Sequence, residues 1–107
     1  MVNAKVADLI MRDEHDVIVF FNGDYDYAMH KMGPESPRAL ADLRVTNHVF
    51  AFLSDMIQSN RRHHNTLIGL ATDHGCHEID GGRGSHGFNM IEDINIVQLY
   101  KGYPKSK

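Results

Sequence analysis

The stretch Thr66-Leu-Ile-Gly-Leu-Ala-Thr-Asp-His-Gly75 decides how this 107-residue chain is interpreted. Residues 66–71 form a short apolar run, which is typical of a buried β-strand. The polar motif Thr72-Asp-His-Gly75 follows directly, and its glycine permits the sharp turn that would bring both polar side chains into one site. We therefore expect a strand that ends in a functional loop, because ligand sites in open α/β sheets form at the carboxyl ends of strands.

The amino-terminal part predicts a helix, a second strand and a loop. Apolar residues at helical spacing within Met1–Arg12 predict the helix. The β-branched and aromatic run Asp16–Phe21, which the turn signal Asn22-Gly23 follows, predicts a buried strand. Because Asp24–Pro37 contains a glycine and two prolines, we expect it to be mostly loop.

A long helix is predicted between the two strands. Ser36 can cap its amino terminus, and Pro37 suits the first helical position, where no backbone N–H is needed. The apolar residues that recur at helical spacing are Leu40, Leu43, Phe50, Leu53 and Ile57, widened by Val49 and Met56. The helix should end near Ser59-Asn60, before a polar connector over residues 61–65.

The carboxyl-terminal part predicts a long loop and a third strand. Thr72–Asn89 contains five glycines and three histidines and too few apolar residues for a core element, so we expect an irregular loop. Apolar residues within Ile91–Tyr100 predict a strand, and the tail Lys101–Lys107 should fray.

Together these elements predict a single α/β domain over residues 1–107. A strand, a helix and another strand at this separation predict a right-handed βαβ crossover with mostly parallel strands. In that arrangement the polar segments Asp24–Pro34 and Thr72–Asn89 leave the carboxyl ends of the two strands, so we expect them to lie side by side.

Composition excludes several classes of protein. The formal net charge of −3 argues against nucleic-acid binding, which favours a basic surplus. No apolar run is long enough to predict a membrane span or a signal peptide. A single cysteine, Cys76, excludes an internal disulfide framework and fits a reducing compartment, so we expect a cytoplasmic location.

Three short motifs contain side chains that can bind metal. Asp26 and His30 are four residues apart, a spacing that lets both reach one cation from a single turn. Asp73 and His74 follow the strand, and glycines on both sides of Ser85-His86 leave that imidazole unobstructed. Taken singly, each motif also fits a blander interpretation: a solvated surface pair, a helix-capping aspartate or a flexible turn.

The combination of motifs is more specific than any one of them. Asp26, His30 and His86 make a set of one carboxylate and two imidazoles, which suits zinc or manganese with an open position. Asp73 and His74 would serve a second ion nearby. Two ions roughly 4 Å apart form the clamp used on phosphate esters. Between these motifs, His77 and Glu78 are candidates for ligands, supporting groups or solvated residues. Cys76 is most often a small buried apolar residue, and a soft-metal ligand is the less common alternative.

The order Asp-x3-His-x2-Gly-Pro, helix, strand-Thr-Asp-His-Gly and Gly-x-His-Gly resembles the alkaline phosphatase superfamily. The type I phosphodiesterase/nucleotide pyrophosphatase branch is the most similar, and Asp73-His-Gly-Cys76 also resembles the phosphopentomutase and phosphoglycerate mutase branch. The resemblance spans about Val17–Tyr100. It implies a partial alkaline-phosphatase-like sheet, a phosphate-ester substrate, and zinc or manganese at metal-binding loops.

By this resemblance, Asp26, His30 and His86 match the ligands of one metal. Asp73 and His74 match two ligands of the other, which leaves that second site partial. Arg83 is a candidate for binding a substrate phosphate, and a solvated loop arginine is the alternative.

The chain departs from this family in one respect. Members of the superfamily carry a Thr or Ser nucleophile and a further Asp ligand before the Asp-x3-His motif, and residues 1–25 contain no Ser or Thr. We therefore expect the carboxyl-terminal metal-binding portion of such an enzyme, weak or inactive alone, which forms homo-oligomers or pairs with an amino-terminal partner chain. The alternatives are a non-catalytic metal-binding or assembly module, and a small α/β domain with incidental histidines.

Overall fold

The computed structural model describes residues 2–87 and 89–106. Its helices are α1 (Val2–Arg12), α2 (Asp24–Met32), α3 (Pro37–Asn60) and the single turn α4 (Ile91–Ile94). Its strands are β1 (Thr66–Ala71), β2 (His77–Ile79), β3 (Arg83–Ser85) and β4 (Gln98–Tyr103), with a 3-10 turn at Asp80–Gly82 between β2 and β3. Met1, Phe88 and Lys107, which belong to the predicted helix, loop and tail, lie outside the described residues.

The core forms where the first and third helices meet. Val6 and Ile10 of α1 are buried against Leu53 and Ile57 of α3, as the helical spacing of their apolar residues predicts. The sheet contributes partly buried side chains, including Ile68 of β1, to this cluster. The helices predicted at 1–12 and 37–60 and the strand predicted at 66–71 are therefore confirmed. The strand was expected to be buried, and this was wrong, because its residues alternate between half-buried and exposed and Leu67 is 70% exposed.

Both sheets in the described part of the chain are two-stranded and antiparallel. β1 pairs with β4, with Thr66 opposite Tyr103 and Ala71 opposite Gln98, and β2 pairs with β3. The fold thus mixes helices with strands, as the α/β prediction states, and the parallel crossover expected within it is not formed by these residues.

Asp16–Phe21 is not a strand, so this prediction was wrong. The segment is irregular, and Val17 and Val19 are 79% and 89% exposed. Ile18, which lies between them, packs on the core. The segment therefore has one packed residue and no hydrogen-bonded neighbour strand among the described residues, and β-propensity alone does not supply that neighbour.

The segment predicted as loop between 24 and 37 contains the helix α2, which is a second correction. Gly33 and Pro34, on which the loop prediction rests, lie beyond the last residue of this helix. Gly33 has a φ of 99° and its N–H donates to the Met29 carbonyl at 2.9 Å, so it ends the helix. Burial of Ala28 and Met29 on the inner face holds α2 in place.

The carboxyl-terminal segment also differs from its prediction. The hairpin β2–β3 lies within the expected loop Thr72–Asn89, and the expected strand Ile91–Tyr100 divides into α4 and β4. β4 continues to Tyr103, and the Lys105 N–H donates to Asn65 Oδ1 at 2.8 Å, so the described part of the tail is held in place from Lys101 onward. Pairing with β1 fixes residues 98–103. The sequence of these residues alone does not reveal that pairing, because the partner strand is distant in the chain.

Among the helices described, none is both long and apolar enough to cross a bilayer.

Candidate metal centre

Helix α2 presents the first two candidate ligands on one face. Asp26 and His30 are one helical turn apart, and His30 Nε2 lies 3.6 Å from Asp26 Oδ1. Ala28 and Met29 of the same helix are buried. Burial of these two residues fixes how the helix is turned, and thereby where both ligand side chains lie.

The hairpin β2–β3 delivers the third ligand. Gly84 of β3 lies directly against Met29, so close that an added Cβ would meet Met29 Sδ at 2.5 Å. This close backbone approach places His86, two residues later, over α2. His86 Nε2 lies 3.2 Å from Asp26 Oδ1, and its ring centroid lies 4.8 Å from that of His30.

The structure therefore brings Asp26, His30 and His86 together, each offering one ligand atom, with all three atoms within 4.8 Å of one another. The segments Asp24–Pro34 and Thr72–Asn89 lie side by side, as predicted. The segments meet although the sheet is not parallel, because the hairpin packs on the helix directly.

Backbone carbonyls orient two of the imidazoles around this carboxylate. His30 Nδ1 lies 3.0 Å from the Gly84 carbonyl, and His74 Nδ1 lies 2.8 Å from the Gly75 carbonyl. A carbonyl only accepts, so each Nδ1 carries the proton, and in the neutral ring Nε2 is then a lone-pair donor. Imidazoles that ligate metals are held in this manner, with the outer nitrogen donating to a carbonyl or carboxylate.

Asp26 Oδ1 is buried and has no hydrogen-bond partner in the described structure, although the side chain as a whole is half-exposed. Three imidazole Nε2 atoms surround it at 3.2, 3.6 and 3.9 Å. When the rings are neutral, two of these nitrogens present lone pairs toward the carboxylate oxygen, and a cation bound between them removes that repulsion. The residues present therefore fit a divalent metal ion.

His74 joins this group from the loop after β1. Its Nε2 lies 3.9 Å from Asp26 Oδ1, and its ring stacks on His86 with centroids 3.6 Å apart. The resemblance placed His74 with a second ion. In the structure it is close enough to the Asp26 carboxylate to serve the same centre or a neighbouring one.

Asp73 lies at the exposed margin of this group. Its Oδ1 is 3.6 Å from His74 Nε2 and accepts a hydrogen bond from the His74 N–H at 3.0 Å, and its side chain is 70% exposed. This contact shapes the turn that carries His74. Arg83 is exposed in β3, three residues before His86. The roles of Asp73 as a ligand and of Arg83 as a phosphate donor stay predictions.

A buried His–Asp pair supports the site, and the sequence interpretation missed it. His77 Nδ1 lies 2.6 Å from Asp93 Oδ1, and the two side chains are 10% and 3% exposed. The Asp93 carbonyl also accepts the Gly75 N–H at 2.8 Å, so this residue anchors the turn that bears His74. Asp93 falls inside an apolar run that was interpreted as a strand, and nothing in its local pattern marks it.

Tyr25, in the first turn of α2, contacts the loops on both sides of the site. Its hydroxyl donates to the Pro34 carbonyl at 3.0 Å and lies 3.5 Å from Cys76 Sγ. Burial, followed by the contact with Cys76, raises the pKa of this phenol above its ordinary value, so the hydroxyl stays protonated. Tyr25 therefore ties the ligand-bearing helix to both flanking loops.

Comparison with known proteins identifies the family of this chain. No curated protein and no solved structure matches the chain significantly. The family model described as type I phosphodiesterase / nucleotide pyrophosphatase matches residues 1–102. That match covers nearly the whole chain, including every candidate ligand. The chain therefore belongs to the type I phosphodiesterase/nucleotide pyrophosphatase family.

Proposed function

We propose that this chain is a metal-binding portion of a phosphoester hydrolase of the phosphodiesterase type. Asp26, His30 and His86 hold one divalent ion, zinc or manganese. The convergence of imidazole nitrogens on the buried, unpartnered Asp26 Oδ1 carries the proposal. A set of one carboxylate and two imidazoles suits these metals and leaves a position open for substrate. A divalent ion there would offset the negative charge that grows on a phosphate ester as it reacts.

In this proposal the chain's own groups hold the site in shape. The Gly84 and Gly75 carbonyls fix the His30 and His74 tautomers, so no side chain has to reorient when a ligand arrives. Asp73 and His74 provide ligands to a second ion. Arg83 in the adjacent strand is the candidate donor to a substrate phosphate, because its planar guanidinium can contact two phosphate oxygens.

The attacking hydroxyl, in this proposal, belongs to a segment outside these 107 residues. Residues 1–25 contain no Ser or Thr that could precede the Asp26 motif. The exposed side chains of Val17, Val19 and Phe21 support pairing of this region with a further segment, a second chain or another copy. The 107-residue chain alone should accordingly show weak or no turnover.

Metal titration of matched variants tests the proposal. Calorimetry with zinc and with manganese should show binding to the wild type, and His30→Ala or His86→Ala should each weaken it by more than about 100-fold, since even supporting groups cost ~10–100-fold. His48→Ala is the control, because His48 is exposed on α3 outside the site. Equal affinities in all four proteins would contradict the metal centre.

An activity assay separates the hydrolase from a non-catalytic module. Fast metal-dependent hydrolysis of an aryl phosphodiester by the purified 107 residues would contradict the expected need for an outside hydroxyl. Recovery of turnover when a chain bearing a strand-Asp-Gly-Thr/Ser segment is added would support it. Metal binding with no turnover under either condition would favour the alternative, a metal-binding or assembly module.

A further inference from the structure

A second cluster of metal-ligand side chains joins the end of α1 to the connector between α3 and β1. His63 Nε2 lies 2.9 Å from Asp13 Oδ2, and His64 Nε2 lies 3.0 Å from Asp13 Oδ1. Their three ligand atoms lie within 4.8 Å of one another. None of these residues belongs to the Asp26 centre, and the function proposed above does not use them.

Local backbone geometry creates this convergence. Side chains of consecutive residues in an extended segment point in opposite directions, so His63 and His64 would not meet one partner. A turn in which the His64 N–H donates to the Arg61 carbonyl at 3.0 Å brings both rings to one side, with centroids 4.3 Å apart. Asp13 has a φ of 55°, the left-handed region that aspartate tolerates better than most residues.

Arg61 forms an ion pair that orients the Asp13 carboxylate. Its Nη2 lies 3.1 Å from Asp13 Oδ1 and also donates to the His15 carbonyl at 3.3 Å, and its side chain is only 11% exposed. A ligating carboxylate is commonly oriented by an outer hydrogen bond of this type. Oδ2 remains between the two imidazoles, at 2.9 Å from His63 Nε2 and 3.1 Å from His64 Nε2.

We propose that Asp13, His63 and His64 form a second transition-metal site that fastens α1 to the connector after α3. Ligand atoms around tetrahedral zinc lie roughly 3.3 Å apart, as bonds of about 2.0–2.1 Å require. The two nitrogen-to-oxygen distances of 2.9 and 3.1 Å therefore need to open by only a few tenths of an ångström. Imidazole nitrogens favour zinc or nickel over calcium or magnesium, and the exposed position leaves room for water as further ligand.

Zinc stoichiometry tests this site independently of the Asp26 centre. With zinc in excess, the double variant His63→Ala/His64→Ala should bind one ion fewer per chain than the wild type, and His48→Ala should bind the same number. The variant His30→Ala/His86→Ala should still bind the ion that the variant His63→Ala/His64→Ala loses. If the Asp26 centre binds no ion, the wild type and His63→Ala/His64→Ala should still differ by one ion, so the result for one proposal does not decide the other.

Ligation by the named atoms is tested by nitrogen-15 NMR of the histidine side chains. Addition of zinc to the His30→Ala/His86→Ala variant should shift the Nε2 resonances of both His63 and His64, and Asp13→Asn should abolish or sharply weaken that shift. Circular dichroism confirms that each variant is folded. An unchanged zinc count in His63→Ala/His64→Ala, or unmoved Nε2 resonances of His63 and His64, would overturn the site at Asp13.

Discussion

At the scale of single residues, Asp26 is the group around which the candidate centre is arranged. The Oδ1 atom is buried without a hydrogen bond among described residues, and imidazoles from α2, from the loop after β1 and from the residue after β3 all approach it. The sequence spacing predicted Asp26, His30 and His86 as a set, and the structure brings them together. The carbonyls of Gly84 and Gly75 orient two of the imidazoles, and contacts of the backbone such as these are not visible in a sequence.

Gly75 tests the placement of His74. An added Cβ would lie 1.6 Å from the Glu92 carbonyl oxygen, so the turn has to move away from α4. Gly75→Ala should destabilise the protein by ~1–3 kcal/mol, the typical cost of overpacking, and should weaken binding of the metal. Gly102→Ala is the control, because a Cβ there meets nothing within 4 Å. Urea denaturation gives the unfolding free energy of both variants. An equal loss of stability in the two variants would contradict the predicted crowding at Gly75.

Tyr25 predicts a loss of stability at high pH. Burial and the Cys76 contact raise the pKa of its phenol above 10.0, so the folded state favours the neutral form. This contribution is complete below pH 10.0 and is lost as the pH rises toward the pKa of the folded state. The wild type should therefore lose more stability than Tyr25→Phe between pH 8 and pH 11 in urea titrations. Parallel curves for the two proteins would contradict this assignment.

At the scale of elements, the sequence predicted those whose signals are local. The cap Ser36, the N1 proline and the apolar stripe located α3, and the apolar run located β1. The apolar run at 16–21 predicted a strand that does not form, because strand pairing depends on residues distant in the chain. For α2, the glycine and proline beyond its end mark only the end of the helix, and burial of Ala28 and Met29 stabilises the residues before them.

Ser36 offers a quantitative test of the α3 start. Its Oγ accepts the Ala39 N–H at 3.2 Å, which satisfies one of the free donors of the first turn. Ser36→Ala should cost ~1 kcal/mol in unfolding free energy. Ser59→Ala, on an exposed residue in the last turn of the same helix, should change it by less than ~0.5 kcal/mol. Chemical denaturation compares them, and an unaffected Ser36→Ala protein would contradict the capping role.

At the scale of the whole molecule, the candidate metal centre lies where the hairpin β2–β3 packs on α2. The core of α1, α3 and the β1–β4 sheet forms one part, and the hairpin β2–β3 contacts it through α2. The long axis of the molecule is 55 Å against 26 and 18 Å for the others. A ligand that bridges α2 and the residue after β3 therefore connects the hairpin to the rest of the chain.

This arrangement predicts that metal stabilises the fold. Zinc at about 100 times its dissociation constant should add ~2.7 kcal/mol to the unfolding free energy, because it binds the folded state. The midpoint of thermal unfolding should rise by roughly 10 °C, and a chelator should reverse the change. When His63→Ala/His64→Ala removes the Asp13 cluster, adding His86→Ala should make this rise much smaller. A rise of equal size in that variant would show that the stabilising ion binds elsewhere.

Anomalous diffraction from crystals grown with one equivalent of zinc tests the central claim most directly. The account predicts a peak at the zinc edge bonded to a carboxylate oxygen of Asp26 and to Nε2 of His30 and of His86. A peak bonded to other side chains, with these three groups left uncoordinated, would contradict the proposed metal centre.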